Sequence, residues 1–140
     1  MWKITESSPE EKNAILDKLV NFNRQVLGIS ADRTSNASLD YVVKLDDKII
    51  GGINASLYFK QSILYINHLF VEENHRGHHF GRTLLNKVEN EAKALGVELA
   101  HLDTYDWQAK DFYLKQGYEI FGVFEDCPKG HKRYYLKKSI

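Results

Sequence analysis

The chain has 140 residues, enough for one domain with a sizeable hydrophobic core and too few for two independent cores. Hydrophobic residues make up 43% and charged residues 27%, with 2 Pro and 9 Gly, which excludes a disordered or collagen-like chain. Because 19 basic residues balance 19 acidic ones, the net charge of 0 argues against binding to nucleic acid through bulk charge.

The N-terminal part predicts a short strand and then a helix. The strand is expected around Trp2 to Thr5. Ser8 is the predicted N-cap of the helix, Pro9 takes its first position, and Glu11 completes a capping box. Apolar residues then recur at helical spacing and predict one buried face, which ends at Gly28: Ile15, Leu16, Leu19, Val20, Val26 and Leu27. The polar interval from Ser30 to Ser38 is predicted to be a loop.

Three β-rich runs follow and predict an antiparallel meander. They are LDYVVKL, IIGGINASLYF and ILYINHLFV, at residues 39–45, 49–59 and 63–71. The polar connections between them, DDK and KQS, are short enough for hairpins.

The second half of the chain alternates helices and strands. A helix that stops at Gly96 leads into a strand, Asp106 is predicted to cap a second helix, and Gly117 ends that helix. These elements and the last two strands are predicted at residues 84–95, 97–105, 107–116, 118–125 and 132–138. The order β-α-β-β-β-α-β-α-β-β indicates an α/β or α+β layer fold.

One segment, HLFVEENHRGHHFGRTLL at residues 68–85, joins a strand to a helix through a glycine-containing loop. Glycine lets a backbone turn sharply and approach a ligand, and a helix N-terminus offers unpaired N–H groups with partial positive charge. With Arg and His around it, the segment is suited to a phosphate or pyrophosphate. The alternative is an ordinary polar loop, because a lone G-x-x-x-G has little specificity. Neither common glycine-rich nucleotide pattern is present.

The same segment resembles the acyl-CoA-binding motif of the GNAT-type N-acetyltransferases, Q/R-x-x-G-x-G/A, with Arg76 in the first place, His79 in the fourth and Gly81 in the sixth. A second stretch, AKDFYLKQGYEIFG at residues 109–122, resembles that family's A-x-x-F-Y-x-x-x-G-F/Y motif. The resemblance implies a mixed, mostly antiparallel central sheet of about seven strands flanked by helices. It also implies that residues 1–140 form a single acyl-CoA N-acyltransferase domain.

The resemblance further implies that acetyl-CoA is the co-substrate. Backbone N–H groups from His78 to Arg82 would bind the pyrophosphate, within a loop made of Arg76, Gly77, His78, His79, Phe80, Gly81 and Arg82. The strand ending at Phe70 and Val71 would diverge from its neighbour, often at a bulge, and pair its main chain with the pantetheine arm. Leu69 or Phe70 would donate to the thioester carbonyl. Gln108 would contact the pantetheine or the phosphates.

His79 departs from the family pattern, which usually has Gly at this place. Its side chain could crowd the pyrophosphate or add a donor to it, while the backbone amide is retained. We therefore expect weaker or altered cofactor binding.

Two residues are the candidates for catalysis. Tyr113 occupies the family's position for the phenol that protonates the leaving sulfur, although Phe112 and Tyr113 could simply pack against the sheet. Neither Glu72 nor Glu73 lies far enough back to act as the base, which leaves His68 as the titratable candidate. Tyr65 and Asn67 could instead orient a water, or no dedicated base is needed.

The remaining reactive residues predict little chemistry. His75, His78 and His79 lack the second ligand pair of a structural zinc site, so we expect no metal. Cys127, the one cysteine, is predicted to be an inert turn thiol in a reducing compartment. With no leader-like or membrane-spanning segment, we expect a cytoplasmic protein that does not contact a membrane.

The predicted function is transfer of an acetyl group from acetyl-CoA to a primary amine, directly in a ternary complex. A small-molecule acceptor is expected, and no nucleic acid. A non-catalytic acyl-CoA sensor and a plain anion-binding scaffold are the alternatives. The resemblance implies that the first helix, the loop after it and the last hairpin shape the acceptor site, here residues 28–38 and 126–132, which identify no ligand. Residues 125–138 could line the acceptor pocket, bind the 3′-phosphate of CoA or form a solvated hairpin. A homodimer through the last strands is expected.

Overall fold

The computed structural model describes residues 1–28, 37–59 and 62–140. In chain order the elements are α1 (Pro9–Leu27), β1 (Ala37–Leu45), β2 (Lys48–Tyr58), β3 (Ile63–Val71), α2 (Phe80–Ala94), β4 (Leu99–Tyr105), α3 (Lys110–Lys115), β5 (Glu119–Glu125) and β6 (Lys132–Ser139). The six strands form one sheet in the order β1-β2-β3-β4-β6-β5. The β3–β4 pair is parallel and the other pairs are antiparallel. The predicted mixed, mostly antiparallel sheet with flanking helices is therefore confirmed.

The helix α1 begins and ends as predicted. The Ser8 side chain accepts a hydrogen bond from the Glu11 N–H at 3.2 Å, Pro9 is the first helical residue, and Gly28 caps the other end with φ +72°. In the described part of the chain, no helix has both the length and the apolar character needed to cross a bilayer.

Two predictions about the N-terminal region are wrong. Residues 2–5 form no strand, and Trp2 and Ile4 are 84% and 90% exposed, so the sheet formed by the described residues has six strands rather than about seven. The apolar face of α1 is largely exposed, because Val20 is buried while its neighbours are not: Ile15, Leu16, Leu19, Val26 and Leu27. Helical spacing makes one face apolar, but burial also needs an opposing surface, and on this face of α1 only Val20 is buried among the described residues.

The predicted meander over β1, β2 and β3 is confirmed. Asp46 and Asp47, which join β1 to β2, both have positive φ (48° and 63°), as a two-residue hairpin turn of type I′ requires. β2 and β3 pair from Tyr58↔Ile63 to Gly51↔Val71. Their register shifts between Asn54 and Ala55, which leaves Asn67 of β3 as the extra residue of a bulge. The connection before β1 and residues 60–61 lie outside the described residues.

The hydrophobic core lies on one face of the sheet, beneath α2 and α3. Four buried apolar residues of α2 pack on the inward-facing residues of the strands. The helix residues are Leu84, Leu85, Val88 and Ala92, and the strand residues include Ile53, Leu57, Leu64, Leu102 and Leu136. A Cβ on Gly81 of α2 would lie 3.4 Å from the Phe112 ring of α3, so the two helices begin side by side. The opposite face of the sheet, which we call the open face, carries the intervening polar and aromatic side chains.

The helix α3 is shorter than predicted, and Asp106 does not cap it. Its carboxylate instead accepts the Lys132 N–H and the His131 Nδ1, each at 2.9 Å. These bonds, the one from the Lys132 amide foremost, lower the pKa of Asp106. They tie the end of β4 to the start of β6, and that competing use of the carboxylate explains why α3 begins at Lys110.

A buried carboxylate joins α2 to the last strand. Glu89 is 6% exposed and accepts hydrogen bonds from the Tyr118 hydroxyl at 2.7 Å and the Lys138 ammonium at 2.8 Å. Burial, reinforced by the adjacent carboxylate, raises the pKa of Tyr118, so its hydroxyl remains the donor. Both oxygens of the buried carboxylate are thereby satisfied.

We predict that Lys138→Met destabilises the fold by about 3 kcal/mol, because it leaves the Glu89 carboxylate buried without its cation. Urea denaturation measures the free energy of unfolding. Lys137→Met is the matched control, since Lys137 forms a looser, exposed pair with Glu119 at 3.8 Å and its loss should change stability little. Equal stability of the two variants would contradict the role given to Glu89.

Candidate active site

The strands β3 and β4 separate after a short stretch of pairing. They pair at Ile63↔Leu99, Leu64↔Ala100 and Tyr65↔His101, and no further pairing joins them although both strands continue. We call the gap between residues 66–71 of β3 and residues 102–105 of β4 the strand cleft. The expected divergence is present, and the bulge at Asn67 lies just beyond the last paired residue.

Backbone hydrogen bonding shows which main-chain groups face the strand cleft. The Glu72 N–H donates to the Ile50 carbonyl of β2 at 2.8 Å. Because successive N–H groups of an extended strand point to opposite sides, the Phe70 N–H also points towards β2. The N–H groups of Leu69 and Val71 therefore point into the strand cleft. Of the two predicted donors, Leu69 rather than Phe70 has the required direction.

The loop after β3 is held back against the strand. It begins with a 3₁₀ turn at Glu73–His75. The Arg76 Nε donates to the Val71 carbonyl at 2.9 Å, and the guanidinium lies 5.7 Å from the Phe70 ring centroid. Gly77 then reverses the chain with φ +83°. The loop therefore returns towards the mouth of the strand cleft before α2 begins.

The first turn of α2 presents unpaired backbone donors at this mouth. Among the described residues, no acceptor binds the N–H groups of Phe80, Gly81 and Arg82. The Thr83 N–H and hydroxyl both donate to the His79 carbonyl at 2.9 Å, which closes the turn behind them. The first turn contains no acidic residue, and Arg82 adds a positive charge. These features fit an anion such as a phosphate.

His79 occupies a left-handed backbone conformation immediately before α2. Its φ is +64° and its ψ 17°, and its side chain is exposed and makes no capping hydrogen bond. This conformation favours glycine, and it disfavours β-branched residues most strongly. The backbone geometry that a Gly would supply is thus retained with a His in place.

We predict that His79→Val destabilises the protein by about 1–2 kcal/mol, whereas His79→Gly is no less stable than the original chain. The side chain has no partner to lose among the described residues, so the difference between the variants reports backbone strain. Chemical denaturation of the three proteins measures it. A Val variant as stable as the Gly variant would contradict the left-handed conformation.

Tyr113 of α3 belongs to the hydrophobic core. It is 6% exposed, and its ring packs 5.1 Å from the Phe112 ring and 5.8 Å from the Tyr118 ring, so the predicted packing against the sheet is present. Burial raises the pKa of Tyr113 to about 12. Its hydroxyl has no partner among the described residues, yet no buried polar atom there is unsatisfied. The hydroxyl therefore reaches solvent and remains protonated.

His68 lies on the open face beside the bulge, at one end of a chain of polar side chains. The Asp40 carboxylate, which can only accept, is 3.3 Å from the Asn54 amide nitrogen. This orientation directs the Asn54 oxygen towards the His68 Nδ1, 3.3 Å away. Nδ1 must then carry the proton, which leaves the lone pair of a neutral ring on Nε2.

Gln108 has a structural partner at the end of β4. Its side-chain oxygen accepts from the Thr104 hydroxyl at 3.1 Å and from the Tyr105 N–H at 2.8 Å. Only its amide nitrogen is left for a ligand. The predicted contact between Gln108 and a cofactor stays a prediction.

Tyr65 and Asn67, the two alternatives for orienting a water, both have other hydrogen-bond partners in the structure. The Tyr65 hydroxyl donates to Asp103 at 2.6 Å, and the Asn67 side-chain oxygen accepts from Ser56 at 2.7 Å. Burial first, and then Asp103, raise the pKa of Tyr65 to about 12. Asp103 also pairs with Arg133 of β6. Asn54, Asp40, Asp103 and Arg133 were not identified from the sequence, because their proximity depends on strand register.

Known relatives cover nearly the whole chain. The sequence profile of the Acetyltransferase (GNAT) family matches residues 5–118. An acetyltransferase of Agrobacterium fabrum is 30% identical over 131 residues, 94% of this chain and 92% of that protein. The crystal structure of an acetyltransferase from Bacillus cereus has 34% identity and a TM-score of 0.91, covering 99% of this chain and 98% of that chain.

A more distant structure has the same fold. It is an aminoglycoside 6'-N-acetyltransferase complexed with coenzyme A, with 18% identity and a TM-score of 0.65. The match covers 98% of this chain and 97% of that chain.

Proposed function

This chain belongs to the acetyltransferase (GNAT) family, and from that membership we propose that it transfers the acetyl group of acetyl-CoA to a primary amine of a small molecule, directly in a ternary complex. The observation that carries the proposal is the strand cleft, which ends at the unpaired N–H groups of α2. A chain of the same fold was solved with coenzyme A bound, and it is named for acetylating an aminoglycoside, which is a small-molecule amine.

The unpaired N–H donors along the strand cleft would bind successive parts of acetyl-CoA. The pyrophosphate would be held by backbone N–H groups of the loop and of the first turn of α2, with Arg82 nearby. The pantetheine arm would take the place of a strand beside β3 and pair with Val71. The Leu69 N–H would then donate to the thioester carbonyl, where negative charge develops in the transition state.

The reaction needs one group to accept a proton and another to supply one. His68 Nε2 would take a proton from the acceptor amine as its nitrogen attacks the thioester carbon. As the C–S bond breaks, the electron pair goes to sulfur, and Tyr113 would protonate the leaving thiolate and recover its proton from solvent. The raised pKa of Tyr113 keeps the phenol in its acid form across the neutral range.

The alternatives draw less support from the structure. His79 departs from the family motif and thereby favours a non-catalytic sensor, but its backbone is compatible with the anion site. The homodimer stays a prediction, and the surface it would use is the edge strand β5, where Phe121, Val123 and Phe124 are about half exposed.

We predict that Tyr113→Phe lowers kcat about 10²-fold, because the leaving thiolate loses its proton donor. The dissociation constant of acetyl-CoA, measured by calorimetry, should change little since the ring still packs in the core. Tyr134→Phe is the control, as it removes a hydroxyl from another tyrosine packed against the same core. An unchanged kcat for Tyr113→Phe would exclude it as the acid.

We predict that His68→Gln lowers kcat/KM for an amine about 10- to 100-fold near neutral pH. Asn54→Leu should lower it by a smaller factor, since it removes the acceptor that fixes the imidazole tautomer. Ser56→Ala, on the same strand and face, is the control. If the pH dependence of kcat/KM is the same with and without His68, the base is another group.

A further inference from the structure

A cluster centred on Arg133 bridges three strands on the open face. The Asp103 carboxylate of β4 accepts the Tyr65 hydroxyl of β3 on one oxygen, at 2.6 Å. Its other oxygen accepts Nε and Nη2 of Arg133 from β6, at 2.9 and 2.7 Å. The cluster starts at the closed end of the strand cleft, where Tyr65 is the last residue of β3 that pairs with β4. It extends along β4 through Asp103 to Arg133, which pairs with Tyr105 at the end of β4.

The Arg133 guanidinium has N–H donors that no described residue accepts. Arginine carries five N–H donors. Two are used on Asp103, and no other acceptor among the described residues binds the remainder. The Arg133 side chain is 30% exposed, whereas that of Asp103 is 15% exposed. The free edge of the guanidinium is therefore accessible from the open face.

The environment of Arg133 favours an anion over a second cation. Both Asp103 oxygens are already engaged, so the carboxylate has little left for the ammonium group of a ligand. The rings of Tyr105 and Tyr135 lie 5.5 and 5.2 Å from the guanidinium and hold it in place. A guanidinium that is fixed in place and mostly covered binds a carboxylate through paired hydrogen bonds better than a mobile surface lysine does.

We propose that Arg133 binds a carboxylate of the acceptor, so that the substrate class is an amine that also carries a carboxylate group. This inference rests on the proposed function, because the amine is taken to approach His68 and the thioester. His68 and Arg133 are both on the open face, on opposite sides of the strand cleft. A carboxylate bound at Arg133 would orient the amine of the same molecule across the strand cleft.

Matched amine pairs that differ by one carboxylate test the proposal. The probes are L-lysine with cadaverine and L-phenylalanine with phenethylamine, each at saturating acetyl-CoA. We expect the original chain to acetylate the carboxylate-bearing member of at least one pair with the higher kcat/KM. Arg133→Gln should reduce the ratio of the two kcat/KM values about 10- to 100-fold, the effect of losing a charged hydrogen-bond partner.

Two further variants keep the result interpretable. Asp103→Asn with Arg133→Gln removes both charges together, so it avoids an unpaired carboxylate and should give the same fall in the ratio. Lys137→Gln, a cation on the same strand and face, should leave the ratio unchanged.

Turnover without any preference for the carboxylate-bearing amines, or a ratio insensitive to Arg133, would overturn this inference alone. Absence of turnover with every amine, despite acetyl-CoA binding, would contradict the proposed function as well.

Discussion

The separation of β3 and β4 is the structural feature on which the rest of the site depends. Two neighbouring strands that stop pairing leave main-chain N–H and C=O groups that need another partner. Here the separation follows directly after Tyr65↔His101, and the bulge at Asn67 lies where it begins. The unpaired edge of β3 is thus a built-in template for an extended ligand, and the loop behind it leads to the donors of α2.

The two faces of the sheet differ in burial and in polarity. One face is buried under α2 and α3, and the contact between Gly81 and Phe112 sets the starts of these helices side by side at the mouth of the cleft. The Glu89 carboxylate ties α2 to β6 within that core. The open face retains the polar groups, with His68 on one side of the cleft and Arg133 on the other. The packing on the buried face therefore fixes the strands that carry these two side chains.

Local sequence patterns correctly predicted those structural features that depend on residues close together in the chain. The Ser8 cap, the turn at Asp46 and Asp47, and the loop-to-helix segment around His79 all have short-range physical causes. The pairings Asn54 with His68 and Asp103 with Arg133 depend on register, and a one-residue bulge shifts the first of them. A periodic pattern likewise shows that α1 has an apolar face without showing what covers it.

Competing hydrogen-bond partners account for the other differences. Asp106 was predicted to cap a helix because Asp suits that position, but the Lys132 N–H and His131 lie within its reach once β4 and β6 pair. Gln108 similarly closes the end of β4. For Asp106, a contact between distant parts of the chain overrides a local preference, and no local pattern reveals it. The Gln108 contacts are local, with residues three and four positions earlier, and they occupy its side-chain oxygen.

The most direct test is a crystal structure of the protein grown with acetyl-CoA. The ligand is expected to lie between β3 and β4, with its diphosphate on the first turn of α2, its thioester oxygen at the Leu69 amide and its sulfur beside the Tyr113 hydroxyl. Electron density for the ligand at another surface, or β3 and β4 closed together with no ligand between them, would contradict this account.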